Sequence, residues 1–167
     1  MTEPFAEQAT LPRAGDDAAL MSVALDEARR AAEYGDVPIG AAIVRDGAVI
    51  ARAHNRREAD HDPTAHAEII ALRAAAAALG RWRLLDCALY VTLEPCPMCA
   101  GAAILARVPL VVFAAPDPKA GAVVSIAQLF EERQLNHHPK WRMGVLRAES
   151  ETLLRDFFAT HRDVPSA

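Results

Sequence analysis

Residues 87–115, CALYVTLEPCPMCAGAAILARVPLVVFAA, give the clearest indication of the fold. Its two apolar runs, 87–93 and 108–115, are continuous and β-rich, which is typical of strands covered on both faces. Between them, a proline-containing start followed by an alanine-rich run predicts a short helix. A strand, a helix and a second strand in this order predict a βαβ unit with parallel strands.

The flanking sequence extends this unit. Apolar positions recur at helical spacing between Asp17 and Tyr34, and Asp46-Gly47 splits VPIGAAIVRDGAVIARA, residues 37–53, into a hairpin. Thr64 is a plausible N-cap for an alanine-rich helix that ends at Gly80. The remaining predicted elements are strands at 37–45 and 48–54, a short helix near 125–132, a strand near 142–147 and a last helix over 149–160. We therefore predict a three-layer α/β/α fold with a five-stranded mixed sheet and helices on both faces.

Length and composition favour one globular domain. The chain has 167 residues, 52% of them apolar and 24% charged. No apolar run reaches the roughly 18 residues of a membrane span, so we expect a soluble protein. We assign residues 1–16 to a loose tail, 17–162 to the domain and 163–167 to a C-terminal tail. The N-terminus lacks the pattern of a signal peptide, which favours a cytoplasmic location with reduced thiols.

The charge limits the kind of partner. A formal net charge of −4 and a pI near 5.8 argue against broad, sequence-independent nucleic-acid binding. Local basic patches remain possible, as does an ordinary solvated surface. The candidates are Arg52, Arg56 and Arg57, Arg81 and Arg83, and HHPKWR at 137–142.

Two short motifs predict a metal centre. Cys96 and Cys99 open the helix that follows a buried strand, where unpaired N–H groups stabilise thiolates. His66 opens another helix, so the helix N-termini could bring these three side chains together at the carboxyl ends of the strands. Three protein ligands with an open fourth position describe a catalytic zinc site, in which Glu68 could move protons to and from a water.

Other interpretations of the motifs stay open. Residues two apart on a regular helix do not face the same way, so His66 and Glu68 share a site only if it lies off the helix end. The cysteine pair could be redox-active. A structural zinc site would need a fourth ligand: His61 is the serious candidate and His54 another, whereas Cys87 lies at the far end of the strand and is expected in the core.

HDPTAHAEI, residues 61–69, and LYVTLEPCPMCAGA, residues 89–102, match the H-x-E and P-C-x-x-C signature of zinc-dependent cytidine-deaminase-like enzymes. The chain most resembles the bacterial tRNA-specific adenosine deaminases, from about Met21 to Phe158. The resemblance implies a homodimer that converts the wobble adenosine of a tRNA anticodon stem-loop to inosine, with one Zn²⁺ per subunit. The implied residues are His66, Cys96 and Cys99 for zinc, Glu68 for proton transfer, Asn55 for the flipped nucleoside, Val37 and Leu93 for the pocket wall, and Asp117, Asn136 and His137 near the ribose and anticodon backbone.

The match has departures and rivals. Pro116 stands where the family commonly has Arg, and ARAHNR, residues 51–56, replaces a glycine-rich, aromatic approach. The resemblance implies that both changes fall on loops that face nucleic acid. The same metal centre would also serve a deaminase of a free base or nucleoside, of guanine or cytosine type. A non-catalytic, zinc-stabilised binding module is the alternative from another class.

Overall fold

The computed structural model describes residues 10–161 as five strands, five α-helices and two short 3₁₀ turns. The helices are α1 (Asp17–Glu33), α2 (Arg57–Asp60), α3 (Ala67–Leu79), α4 (Pro97–Leu105) and α5 (Arg147–His161). The strands are β1 (Gly40–Arg45), β2 (Ala48–His54), β3 (Cys87–Leu93), β4 (Leu110–Ala115) and β5 (Lys140–Met143). The 3₁₀ turns are Ala14–Asp16 and Leu129–Glu131.

The strands form one mixed sheet in the order β2-β1-β3-β4-β5. β1 pairs antiparallel with β2 and β3, whereas β3, β4 and β5 are parallel to one another. The central strands β3 and β4 have a neighbour on each side, which explains their uninterrupted apolar sequence. The predicted hairpin, parallel βαβ unit and five-stranded mixed sheet are all confirmed.

Alternation along the strands builds a core on each side of the sheet. Ile43, Leu89 and Phe113 pack into the larger core, which α3 and α4 cover. Tyr90 and Val112 point to the other face, where α1 and Leu153 of α5 cover them. The side chains alternate because successive residues of a strand point to opposite faces. The three-layer prediction is therefore confirmed.

Some boundaries differ from those predicted. Helix α3 begins at Ala67, so the prediction that Thr64 caps it is wrong: the backbone N–H and hydroxyl of Thr64 bond to the Asp62 carboxylate instead. β5 lies two to four residues earlier than the predicted 142–147. The predicted helix at 125–132 is reduced to Leu129–Glu131, because backbone N–H groups before it bond to a buried side chain, described below.

Residues 1–9 and 162–167, which include the predicted C-terminal tail at 163–167, lie outside the described residues. Within the predicted N-terminal tail, Leu11 packs against the core under α1. None of the helices within residues 10–161 combines the length and the apolarity needed to cross a membrane.

Candidate metal centre and active site

Two helix N-termini meet at the carboxyl end of β3. His66 is the N-cap of α3, and Cys96 is the N-cap of α4, three residues after β3 ends. Both caps have extended backbone, with φ and ψ of −77° and 147° for His66 and −71° and 171° for Cys96. Pro97 occupies the first position of α4, where a missing N–H costs nothing. The caps direct their side chains off the helix ends and toward each other.

The three predicted ligands form one cluster. The Nδ1 atom of His66 lies 3.7 Å from Cys96 Sγ and 3.5 Å from Cys99 Sγ. A tetrahedral zinc ion, with Zn–N near 2.1 Å and Zn–S near 2.3 Å, holds nitrogen and sulfur about 3.6 Å apart. Among residues 10–161 these three side chains are the one set of at least three possible ligands whose donor atoms lie within 4.8 Å of one another. The donor set fits zinc and leaves a fourth position open.

The environment favours a thiolate in this cluster. The hydrogen bond from Cys99, with His66 alongside, lowers the pKa of Cys96 to about 4. The pKa of Cys99 is raised by its hydrogen bond with Cys96 and by burial. The pKa of His66 is raised, chiefly by its contact with Cys96. Negative charge at this spot is what a dication needs, because thiolates and not thiols ligate zinc.

Glu68 lies beside the cluster and lines the same cavity. Its side chain is buried, and this burial raises its pKa to about 7. A carboxyl group that titrates near neutrality can both accept and return a proton, as a general acid–base catalyst must.

The cap conformation explains how His66 and Glu68 share a site. His66 lies outside the regular helix, whereas Glu68 is the second residue of α3. The opposed directions expected of residues two apart on a helix therefore do not apply. Asn55 fixes this start, because its buried Oδ1 accepts a hydrogen bond of 2.9 Å from the Ala67 N–H.

A cavity of about 480 Å³ opens over the cluster. Its volume lies within the usual range for small-molecule sites. It brings together the predicted Val37, Asn55, Leu93 and Asp117 with His66, Cys96 and Glu68. The other lining residues are Ile39, Arg57, Glu94, Pro116, Pro118, Lys119, Ala120, Leu154 and Phe158.

Asn136 and His137 lie elsewhere. Asn136 Oδ1 accepts a hydrogen bond from Arg107, and the His137 ring bonds to the Val108 carbonyl, both just before β4. The cavity is at the other end of β4, beyond Ala115. The structure therefore does not bring Asn136 and His137 to the pocket of this chain.

The rival ligands do not join the cluster. His61 is exposed and ends α2, while the His54 ring is bonded to Glu27. Cys87 is fully buried at the start of β3, and this burial raises its pKa to about 12. The expectation that Cys87 is a core residue is confirmed.

Glu94 is a functional residue that no sequence pattern indicated, although it directly precedes Pro95-Cys96. Its buried Oε1 accepts hydrogen bonds from three successive backbone N–H groups, at 3.0 Å, 2.7 Å and 3.0 Å, from residues 123, 124 and 125. Oε2 accepts the Asp117 N–H at 2.9 Å and the Ser125 hydroxyl. Burial alone would raise the pKa of Glu94, but these bonds lower it. Glu94 thus holds the loop that forms one pocket wall.

Comparison with known proteins agrees with this geometry. Residues 14–115 match the family described as the cytidine and deoxycytidylate deaminase zinc-binding region. The tRNA-specific adenosine deaminase of Bacillus subtilis is 49% identical over 142 residues, 85% of this chain and 88% of that protein. The enzyme of that name from Aquifex aeolicus is 48% identical over 86% of this chain and 94% of its own length.

Solved structures show the same likeness. One from studies of A-to-I editing by tRNA:A34 deaminases superposes with a TM-score of 0.79 at 48% identity, over 81% of this chain and 99% of the other. Guanine deaminase from Nitrosomonas europaea superposes with a TM-score of 0.76 at 27% identity, over 90% of this chain and 88% of its own. The fold is thus similar to that of a tRNA deaminase and to that of a guanine deaminase.

Proposed function

The chain belongs to the tRNA-specific adenosine deaminases, within the zinc-dependent cytidine-deaminase-like family, and we propose that it hydrolyses adenosine to inosine at the wobble position of tRNA. The observation that carries this function is the cluster of His66, Cys96 and Cys99 with Glu68 beside it, at the base of one cavity. A structural zinc site would need a fourth protein ligand and would give Glu68 no task.

The chemistry divides between the metal and Glu68. When bound by His66, Cys96 and Cys99, one zinc ion per subunit supplies a Lewis acid that makes a water nucleophilic near neutral pH. Glu68, as carboxylate, accepts a proton from the water that attacks adenine C6. As carboxylic acid it returns that proton to the departing amine, and ammonia leaves. Its pKa of about 7 suits both roles.

We assign the pocket walls to nucleoside binding. Val37 and Leu93 offer apolar surface for the base, and we assign Asp117, which also lines the cavity, to the ribose. The Asn55 Oδ1 atom already accepts a hydrogen bond from the Ala67 N–H. We therefore assign the Asn55 amide nitrogen to the nucleoside. The base must leave its stack to reach the zinc, which costs least in a single-stranded anticodon loop.

We also propose a homodimer, as the family resemblance implies. A cavity of about 470 Å³ between α3 and α4 is almost entirely apolar, with Leu105 70% exposed and Trp82 56% exposed at its edge. Apolar surface of this kind is typical of contacts between subunits. Asn136 and His137, remote from the pocket of their own subunit, would act on an anticodon backbone only across such a dimer. We further propose that the enzyme acts in the cytoplasm, in keeping with a tRNA substrate.

The test is direct detection of inosine. An adenosine-wobble arginine tRNA is incubated with the zinc-loaded protein, and its nucleosides are analysed by mass spectrometry. We expect inosine with the wild type and none above background with Glu68→Gln. A folded, zinc-loaded wild type that yields no inosine would contradict the assignment.

One observation favours a second candidate, a deaminase of free guanine. The fold superposes with that of a guanine deaminase. In addition, α5 contributes Leu154 and Phe158 to the cavity, as expected of a C-terminal segment that closes over a small ligand. Phe158 is 50% exposed, however, so the side chain leaves the pocket accessible. Ammonia release from free guanine, measured on the same protein, would support this alternative if tRNA gives no inosine.

A further inference from the structure

Two cations on separate segments of the chain line the cavity. Arg57 and Lys119 both line it, both are exposed, and neither has a carboxylate within ion-pair distance among the described residues. The neighbouring Arg56, by contrast, forms an ion pair of 2.7 Å with Asp60. Unpaired positive charge at this cavity is notable in a chain of net charge −4.

A buried carboxylate fixes the segment that carries Arg57. Asp36 is 1% exposed, and its two oxygens accept the N–H groups of Glu58 and Ala59 at 3.1 Å and 3.2 Å. Arg57 is the first residue of the single turn α2, so these bonds hold its backbone in place. Asp36 bonds to these two backbone donors and forms no ion pair with Arg57.

A second buried carboxylate fixes the segment that carries Lys119. Glu94 accepts the Asp117 N–H, and Asp117 Oδ1 in turn accepts the N–H groups of Lys119 and Ala120 at 3.0 Å and 3.3 Å. Asp117 is the one acidic group of this loop that also lines the cavity. Because it accepts two backbone N–H groups, its charge is partly offset.

We propose that Arg57 and Lys119 bind the two phosphate groups that flank the target nucleotide, one on each side of the cavity mouth. This inference rests on the proposed function. With the base at the zinc, the sugar lies at the mouth and the strand leaves it in two directions, each beginning with a phosphate. Two fixed cations would therefore favour a nucleotide within a strand over a free nucleoside or base, and would let an acidic protein hold RNA locally.

The first experiment measures RNA binding. Arg57→Gln and Lys119→Gln are made in the Glu68→Gln background, which prevents turnover, and an anticodon stem-loop is titrated by fluorescence anisotropy at several salt concentrations. Each change should raise Kd about 3- to 10-fold. Each should also reduce the slope of log K against log salt by about 0.7, the value for one single-strand phosphate contact.

Arg13→Gln is the matched control. Arg13 is exposed, has no ion pair among the described residues, and lies beside the turn at Asp46 and Gly47, away from the cavity. Its loss changes the net charge equally, so it should leave Kd within about twofold if binding is local. An equal loss of affinity in all three variants would overturn the proposal, as would unchanged Kd and slope in Arg57→Gln and Lys119→Gln with melting temperatures intact.

The second experiment identifies the phosphates. The same RNA is made with one neutral methylphosphonate, either 5′ or 3′ of the target adenosine. Neutralising a phosphate should weaken binding to the protein that has both cations, and should have no further effect when its cationic partner is already glutamine. Additive losses for every combination would overturn the pairing. Inosine formation by the wild type is scored separately, so a failed phosphate assignment is distinguishable from a failed function.

Discussion

The two segments that supply the metal ligands each carry a buried glutamate, and the two glutamates have opposite environments. Glu68 follows His66 by two residues and Glu94 precedes Cys96 by two; they are 4% and 2% exposed. Glu94 accepts five hydrogen bonds, which lower its pKa, whereas burial raises the pKa of Glu68 to about 7. Burial alone therefore does not determine the role of a carboxylate; the supply of donors does.

Glu68→Gln should have the largest effect of the changes that test this contrast. Gln keeps the shape but cannot carry a proton, so we expect kcat to fall about 10²- to 10⁴-fold. Unfolding stability should stay the same or rise, because a disfavoured buried carboxylate is removed. Single-turnover inosine formation, zinc content by atomic absorption and thermal melting give the three readouts. Loss of zinc together with activity would mean that Glu68 is structural.

Glu94→Gln should reverse that pattern. An amide nitrogen in place of one carboxylate oxygen leaves backbone N–H groups of the loop without an acceptor, at a cost of about 2 to 3 kcal/mol. The loop that carries Asp117 and Lys119 then loosens, so KM for RNA should rise more than kcat falls. Urea unfolding and steady-state kinetics on the zinc-loaded protein test this. A kcat loss equal to that of Glu68→Gln, with stability intact, would erase the distinction between the two glutamates.

A substitution at Gly121, on the loop itself, disturbs the same contact with Glu94. A Cβ atom added there would lie 2.2 Å from Glu94 Oε2, and Glu94 cannot withdraw without breaking its hydrogen bonds. Gly121→Ala should therefore cost about 1 to 3 kcal/mol of unfolding free energy, as overpacking does. Gly101→Ala is the control, since a Cβ there meets nothing within 4 Å and Gly101 lies inside α4. That change should be neutral or stabilise the protein by up to about 1 kcal/mol.

The contrast between the two glutamates also shows which parts of the fold and the site can be predicted from the sequence. Periodicity predicts the sheet and the helix faces. The two short motifs predict the cluster, because they lie at helix starts, which are local features. The role of Glu94 is not accessible in this way, because four of its donors lie on residues 123–125, about thirty positions away. Thr64 was assigned as a cap by its residue type, yet His66 occupies the cap and Asn55, from another segment, bonds to the first helical N–H.

A third buried carboxylate, Asp86, pairs with cations where Glu94 bonds to backbone donors. Its substitution should have the smallest effect on stability. Asp86 lies at the opposite end of β3 from Glu94 and pairs with Arg81 and, at 2.7 Å, with Arg45. Burial alone would raise its pKa, but the two arginines hold it below the usual 3.8. Because both arginines are partly exposed, Asp86→Asn should cost only about 1 kcal/mol at pH 7.

The pH and salt dependence then separate the two kinds of carboxylate. A pKa lowered in the folded state contributes stability that is fully present above the unfolded value and is lost as pH falls through the folded value. The difference between wild type and Asp86→Asn should therefore be constant from pH 7 to about 5 and shrink below about 4. Added salt should shrink it at pH 7, but should leave the cost of Glu94→Gln unchanged, because neutral backbone N–H groups are not screened as arginines are. Urea unfolding of both variants at low and high salt measures this, and an equal salt response would contradict the assignment of different donors to the two sites.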